Sequence, residues 1–428
     1  MTFEPGQGPP RILFVGWPHS SHTHSWIDLV SDSDFDVRLF ALPGAIPPRD
    51  WPVHTYVTKP RYGKREANWT TLYAADPIRK AAKWAVFSRL GRGATARAER
   101  WLAEIVRSWK PAVIHTLGLD PAGFFFLRAR SRFDLAGLGK WVLQLRGGSD
   151  LTLRRLDPDI APVISDALRA CDQLLSDNPV NYEYAFELGL RRDQVASLGT
   201  VPGTGGVDVD ALAVRARQKP STRRAILWPK AYDSQWSLAL PCFEALRLAW
   251  DQIQPCEVYM LSMSPETRQW FRTLPPEITA QCHTEDRLPR ERTLALMGEA
   301  RVMFAPSLVD GTPNTLFEAM ATGALPIVSP LDTIRPLVRD GENVLFARNL
   351  YPDEMAEALH RAMVDDELVD MAAARNLELV RRLADRREIR ERVLRFYEGL
   401  AVPGDGSAAR PSPPRAAFEP LARTPNED

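Results

Sequence analysis

The chain has 428 residues, 45% of them apolar and 25% charged, and its 54 basic and 54 acidic side chains cancel to a net charge of zero. That length predicts two domains or slightly more, each able to bury a core, and the zero net charge gives no global pull towards nucleic acid. The four cysteines (Cys171, Cys242, Cys256, Cys282) are scattered without C-x-x-C spacing, which argues against a disulfide framework or a zinc site and fits a reducing cytoplasm.

Residues 1–10 are polar, rich in Gly and Pro and without a basic start, so they read as a flexible N-terminus and not as a signal peptide. No run approaches the roughly 18 apolar residues of a membrane-crossing helix. The first strand is expected at Ile12–Gly16, followed by a Gly/His/Ser loop and a short helix near Trp26–Val30. Further strands are expected at Val37–Phe40, Ala112–His115, Trp141–Leu145, Gln173–Ser176 and Val195–Leu198, with a helix at Asn178–Leu190. Short apolar strands alternating with helical stretches predict a doubly wound α/β domain over 11–200. His19, His22 and His24 sit in a loop at spacings of three and two without cysteine, which is too little for a metal site.

Within this first half, residues 59–110 hold thirteen Lys/Arg against four Asp/Glu, a net of +9 in a neutral chain. Tyr62, Trp69, Tyr73, Trp84, Phe87, Trp101 and Trp109 interleave with the charges. Two readings stand level: an interfacial patch that docks on anionic lipid, or a solvated helical face with buried aromatics. The lipid reading names Arg79, Lys80 and Lys83 among the contacts. Nucleic-acid binding is less favoured, because no nucleic-acid-binding motif accompanies the charge.

Gly199–Pro220 is rich in Gly, Pro and Thr and is expected to link two domains across 201–220. A second α/β series spans 221–385, with strands at Ala225–Trp228, Glu257–Leu261, Ala300–Ala305, Leu325–Ser329 and Val344–Phe346. Helices are expected near 237–251, 290–299, 352–365 and 367–383, then a C-terminal helix at 386–402. Residues 403–428 are dense in Pro, Arg, Ser and Ala and are expected to be disordered. The strings Asp157-Pro158-Asp159 and Asp208-Val209-Asp210 lack the strand context of a D-x-D cation site, so no obligatory metal is expected.

The most informative stretch is 306–330, PSLVDGTPNTLFEAMATGALPIVSP. Asp310 and Glu318 lie eight residues apart within a strand–loop–helix–strand unit. Thr312 suits an N-cap and Pro313 a first helical residue. The helix start then faces the crevice beyond the strand ends, where open α/β sheets bind ligands, and free N–H groups there suit a phosphate. Asp310 lies before the helix, within reach of a neutral polyol. Glu318 can accept hydrogen bonds from a ribose diol.

This stretch resembles the E-x7-E region of retaining GT-B glycosyltransferases of family 4, close to PS-x-x-E-G-x-P-x-x-x-x-E-A-M-A-x-G-x-P-V-V, with Asp310 in place of the first Glu. Gly205–Asp210, Asp340–Leu345 and Ser21–Trp26 are similar to further family segments. The resemblance covers residues 11 to 400, strongly in the second half, and its spelling is similar to a bacterial polysaccharide-assembly branch.

It implies a GT-B fold: two Rossmann-like domains facing across a cleft, acceptor held by 11–200 and nucleotide sugar by 221–385. Asp310, Lys230, Asp150 and His115 are then the candidate catalytic residues. Glu318, Gly311, Thr312, Pro313, Asn314, Thr315, Gln235 and Gly16 are the candidate donor-binding residues. Arg146, Gly147 and His22 are the candidate acceptor-binding residues. The family places an Arg and, five residues later, a Lys on the departing diphosphate. Here Lys230 takes the first place and Gln235 the second, so one cation is kept and one lost. For Asp150 and His115, a turn-forming Asp and a satisfied core histidine are equally good readings.

The expected activity is retaining, metal-independent transfer of a sugar from a UDP- or GDP-linked donor to a glycan, lipid-linked or small-molecule acceptor. No cofactor is expected. The expected location is the cytoplasm, peripheral to the inner face of the cell membrane if 59–110 binds lipid. The alternatives are a degenerate GT-B protein that binds without transfer, and a sugar-nucleotide epimerase on the same fold.

Overall fold

A computed structural model describes residues 8–58, 67–72, 91–147, 149–286 and 288–401. Arg79, Lys80, Lys83 and the expected tail at 403–428 lie outside the described residues. Among the described residues the chain divides into two compact units, one of residues 8–205 with 388–401, the other of residues 206–387.

The first unit is built on an eight-stranded parallel sheet in the order β4-β3-β2-β1-β5-β6-β7-β8. Its strands are β1 (Arg11–Gly16), β2 (Asp36–Ala41), β3 (His54–Val57), β4 (Trp69–Thr71), β5 (Val113–Leu117), β6 (Lys140–Leu145), β7 (Gln173–Ser176) and β8 (Val195–Thr200). Successive side chains of one strand serve two cores, as a sheet covered on both faces requires. Leu13 and Val15 pack with Trp101, Leu102, Val106 and Phe125 on one face. Ile12 and Phe14 pack with Trp26, Ile389, Val393 and Tyr397 on the other. The helix Arg386–Ala401 thus closes the first unit's core from Glu388 onward.

The second unit carries a six-stranded parallel sheet in the order β11-β10-β9-β12-β13-β14. Its strands are β9 (Ala225–Trp228), β10 (Glu257–Leu261), β11 (Cys282–Glu285), β12 (Ala300–Ala305), β13 (Leu325–Val328) and β14 (Leu345–Phe346). Each unit is therefore a parallel α/β sheet of Rossmann type, as expected from the sequence.

Several details differ from the sequence reading. The edge strands β4 and β11 (WTT and CHTE) and the four-residue β3 (HTYV) beside β4 escape it, because strands this short and polar carry no apolar run. The first helix is Ser21–Ile27, starting earlier than expected. The 201–220 stretch is not an open linker: residues 201–207 are buried, and Val209–Ala213 forms a helix capped by the Asp208 side chain, which accepts from Ala211 N at 3.0 Å. Of the aromatics in the basic segment, Trp101 packs against Phe40 and Tyr56, and Trp109 lies under the Arg38 guanidinium at 4.4 Å. Those two rings face the fold's interior. Among the described residues no helix is long and apolar enough to cross a membrane.

Candidate functional site

In the second unit β9 and β12 are neighbours, so the loops leaving their C-terminal ends meet although Lys230 and Asp310 are far apart in sequence. Lys230 Nζ lies 2.7 Å from Asp310 Oδ2, with the two side chains 31% and 21% exposed. Burial pushes the Lys230 ammonium pKa down, but the Asp310 charge and hydrogen bond outweigh it and hold the pKa above its usual value. Asp310 is fixed further: its Oδ1 accepts from Gly311 N at 2.9 Å and its carbonyl from Thr333 Oγ1 at 2.8 Å.

The helix after Asp310 runs from Asn314 to Thr322, one residue later than expected. Pro313 is its N-cap, with φ −73° and ψ 135°, and Thr312 caps nothing: its Oγ1 is buried without a partner. Pro313 is itself extended and not helical, so the helix starts one residue downstream. No side chain caps the first turn and no acidic residue lies in it. Gly323, at φ +80°, ends the helix in the left-handed conformation that glycine adopts without strain. Arg223, fully buried, donates to Thr322 O at 2.9 Å and to Ala300 O at 3.0 Å, tying the helix end to β12. Thr315 is half-buried, as are Pro313 and Asn314, while Gly311 is buried.

Glu318 projects from this helix with only 4% of its side chain exposed. Arg290, at the start of helix Arg290–Glu299, places Nη2 at 2.6 Å from Glu318 Oε1. The contact is an ion pair without hydrogen-bond alignment, so Oε1 keeps its accepting capacity. Arg290 had no signal in the sequence; it reaches Glu318 only through the packing of two helices.

Gln235 and Trp236 form the tip of a tight turn. Ser234 N donates to Ser237 O at 2.9 Å, and Trp236 N to Ser234 Oγ at 3.0 Å. Asn349, 2% exposed, clamps the turn by accepting from Leu238 N at 3.0 Å and donating to Leu238 O at 3.1 Å and Pro306 O at 3.3 Å. Gln235 is exposed.

In the first unit, Arg146 and Asp150 follow β6. Asp150 Oδ2 accepts from Arg146 N at 2.9 Å and Leu119 N at 3.2 Å, so it ties the β6 loop to the β5 loop. Burial raises its pKa to about 7, against those two hydrogen bonds. Arg146 is held on Gln144 Oε1 through Nε at 3.1 Å and Nη2 at 2.9 Å, and burial lowers its pKa to about 10. Gly147, at φ +72°, donates to Asp177 Oδ2 at 2.8 Å.

His115 stands in the middle of β5 and not at its end, with no exposed surface. Its Nδ1 meets Tyr397 Oη at 2.5 Å, Tyr397 Oη also accepts from Trp26 Nε1 at 3.0 Å, and Nε2 has no partner. Burial, with help from Arg146, drives its pKa well below the ordinary histidine value. This is a core position, because β5 is central in the sheet and Tyr397 covers it. Gly16 lies in this unit too, and a Cβ there would stand 3.3 Å from Leu117 Cβ. Its place is thus a packed strand junction, on a different unit from Glu318. His22 is exposed on the first helix, while His24 stacks on Trp51 with ring centroids 4.2 Å apart, so the three histidines do not converge. Among the described residues no three His, Cys, Asp or Glu gather to hold a metal ion. Gln144, Asp177 and Tyr397 complete this polar cluster and had no motif to announce them.

Asp150 supplies a pH test. Its folded pKa of about 7 lies above its ordinary 3.8, so its contribution to stability is full below pH 4 and is lost as pH rises to 7. The loss is of order 4 kcal/mol at most. Asp150→Asn stays neutral, and its melting temperature is expected to gain on the parent's by several degrees between pH 4 and 7.5. Parallel curves in a thermal-denaturation pH series would refute the raised value.

Residues 242–365 match the family model Glycosyl transferases group 1. A phosphatidyl-myo-inositol mannosyltransferase of Mycobacterium leprae is 27% identical over 226 residues, which is 50% of this chain and 58% of that protein, so the match spans little more than half of the relative's length. Among solved structures, sucrose-phosphate synthase from Thermosynechococcus elongatus superposes with a TM-score of 0.65 at 15% identity, over 91% of this chain and 99% of that one. Anabaena HepE, solved with UDP and glucose, superposes with a TM-score of 0.62 at 13% identity, over 91% and 100%. The chain thus has the two Rossmann-like units of its GT-B glycosyltransferase neighbours, and its second unit carries a Glycosyl transferases group 1 domain at residues 242–365.

Proposed function

We propose that this chain is a retaining hexosyltransferase of the family 4 type that moves a sugar from a nucleotide-sugar donor without a metal. The observation that carries the reading is the 2.7 Å Lys230–Asp310 pair at the C-terminal ends of neighbouring strands, beside a helix start that no side chain caps. In this reading Lys230 and the helix N–H groups take the charge of the departing diphosphate. Asp310 contacts the donor sugar, and Glu318 accepts hydrogen bonds from the ribose. Attack from the front face of the sugar accounts for retention.

The acceptor falls to the first unit, with Arg146 as its anion-binding candidate and Asp150 as the base. The mycobacterial relative's name joins mannosyl transfer to a phosphatidyl-inositol, and a neighbour was solved with UDP and glucose; both favour a nucleotide-hexose donor, and the former a lipid-linked acceptor. Peripheral contact with an anionic membrane through 59–110 belongs to the same proposal.

A thermal-shift screen with UDP-, GDP-, ADP- and dTDP-sugars tests the donor site, because a ligand of the folded state raises its melting temperature. Failure of every nucleotide sugar to shift it would overturn the reading. Transfer is expected to survive EDTA, since neither D-x-D string borders the Lys230–Asp310 pair in sequence and Lys230 supplies a cation. Activity lost to EDTA and restored by Mg²⁺ or Mn²⁺ would refute metal independence. One observation favours a second reading, binding without transfer: the position of the second diphosphate cation is Gln235, neutral and exposed. Nucleotide-sugar binding with neither transfer nor hydrolysis would select it.

A further inference from the structure

The turn that carries Gln235 in place of a cation also presents an indole. Trp236 is 40% exposed. Its ring stacks on no other ring and its indole N–H makes no hydrogen bond among the described residues. Exposure alone does not single it out, since Trp17 and Trp270 are 38% and 43% exposed. What distinguishes Trp236 is how its backbone is held. Its carbonyl accepts from Leu308 N at 2.7 Å and Val309 N at 3.3 Å, the two residues that lead into Asp310. The next residue, Ser237, donates from Oγ to Pro306 O at 3.3 Å, and Asn349 clamps the far side of the turn. The tip, on the loop that carries Lys230, is thus stitched to the loop that carries Asp310.

Elsewhere the fold spends tryptophan differently: Trp228, at the end of β9, is buried edge-on against Phe243 and Phe304. An uncovered indole whose backbone is pinned to the residues leading into Asp310 has the chemistry of a hexose platform. A pyranose ring presents an apolar C–H face and a polar rim. An aromatic face takes the first while carboxylate and ammonium take the second. A tip already fixed loses little freedom on binding, which raises affinity.

We infer that Trp236 is a specificity-determining residue whose indole stacks on the hexose of the nucleotide sugar. The inference rests on the donor site proposed above and adds to it a residue that reads the sugar, not the nucleotide. It also gives the Gln235–Trp236 tip a use: the turn that lacks the second cation contributes sugar recognition.

The test is calorimetry on the full chain with UDP-glucose and GDP-mannose, and with UDP and GDP alone. The proteins are the parent, Trp236→Ala and Trp236→Phe, with melting temperatures confirming that the exposed substitutions leave the fold intact. The expected result is a five- to tenfold loss of affinity for the nucleotide sugar in Trp236→Ala, on the order of one aromatic contact. Affinity for the free nucleotide stays within twofold, and Trp236→Phe recovers most of the loss. Unchanged affinity for both ligands, or equal losses for both, overturns the inference while leaving the donor site standing. A parent chain that binds none of the four probes, nor an ADP- or dTDP-sugar, overturns the donor site and this inference with it.

Discussion

Replacing Lys230 by alanine is expected to lower the rate of sugar transfer about 10²- to 10³-fold, the usual cost of removing one preorganised group from developing negative charge. The expectation is large because Lys230 is half-buried, already charged, and held 2.7 Å from Asp310. The place where a second cation would share the task holds Gln235. In Lys230→Ala the leaving diphosphate would meet only backbone N–H groups at the helix start, so kcat should fall far more than nucleotide affinity. Asp310→Asn separates the partners' roles. It keeps the side chain's shape and its acceptor for Gly311 N, removes the charge that pairs with Lys230, and should cut transfer more than nucleotide binding. Steady-state kinetics beside calorimetry with the free nucleotide decides both. Equal losses in kcat and in nucleotide affinity would move the pair from the reacting sugar to ground-state binding.

Replacing Glu318 by alanine is expected to weaken nucleotide binding tenfold or more while the protein stays folded. Each charge-assisted hydrogen bond to a ribose hydroxyl is worth about 1.5–3 kcal/mol. The loss should appear in affinity, because the ribose does not change during transfer. The fold should tolerate the change because Arg290, the ion-pair partner, is 64% exposed and returns to water without leaving a buried unpaired charge. Glu318→Gln keeps the shape and part of the hydrogen bonding, so it should lie between the two. Unchanged nucleotide affinity by calorimetry in Glu318→Ala would remove Glu318 from the ribose.

The 306–330 stretch was legible because its geometry is local. Asp310, the glycine and proline after it, and Glu318 one helical stretch later are fixed relative to each other by short-range backbone geometry. Even there the helix starts one residue later than the sequence suggests, because Pro313 takes the extended backbone of an N-cap and leaves Thr312 outside the helix. The first unit was legible as a fold and poorly legible as a site. Its polar cluster draws Gln144 from β6 and Leu119, Arg146, Asp150 and Asp177 from the segments after β5, β6 and β7, and no spacing joins them. His115 looked like a strand-end ligand because the strand was placed one residue early at its start and two residues short at its end. Once β5 extends to Leu117, the ring lies deep in the sheet under Tyr397.

By itself the sequence determined the α/β class, the division into two units, and the candidate residues of 306–330. These follow from apolar periodicity and from chemistry packed into one short segment. Only the tertiary structure decided which side chains meet across long separations: Lys230 with Asp310, Arg290 with Glu318, Tyr397 with His115, and the Trp236 carbonyl with the loop before Asp310. The physical reason is strand order. A parallel sheet brings β9 beside β12 through crossovers of many residues, and nothing local in either strand specifies its neighbour.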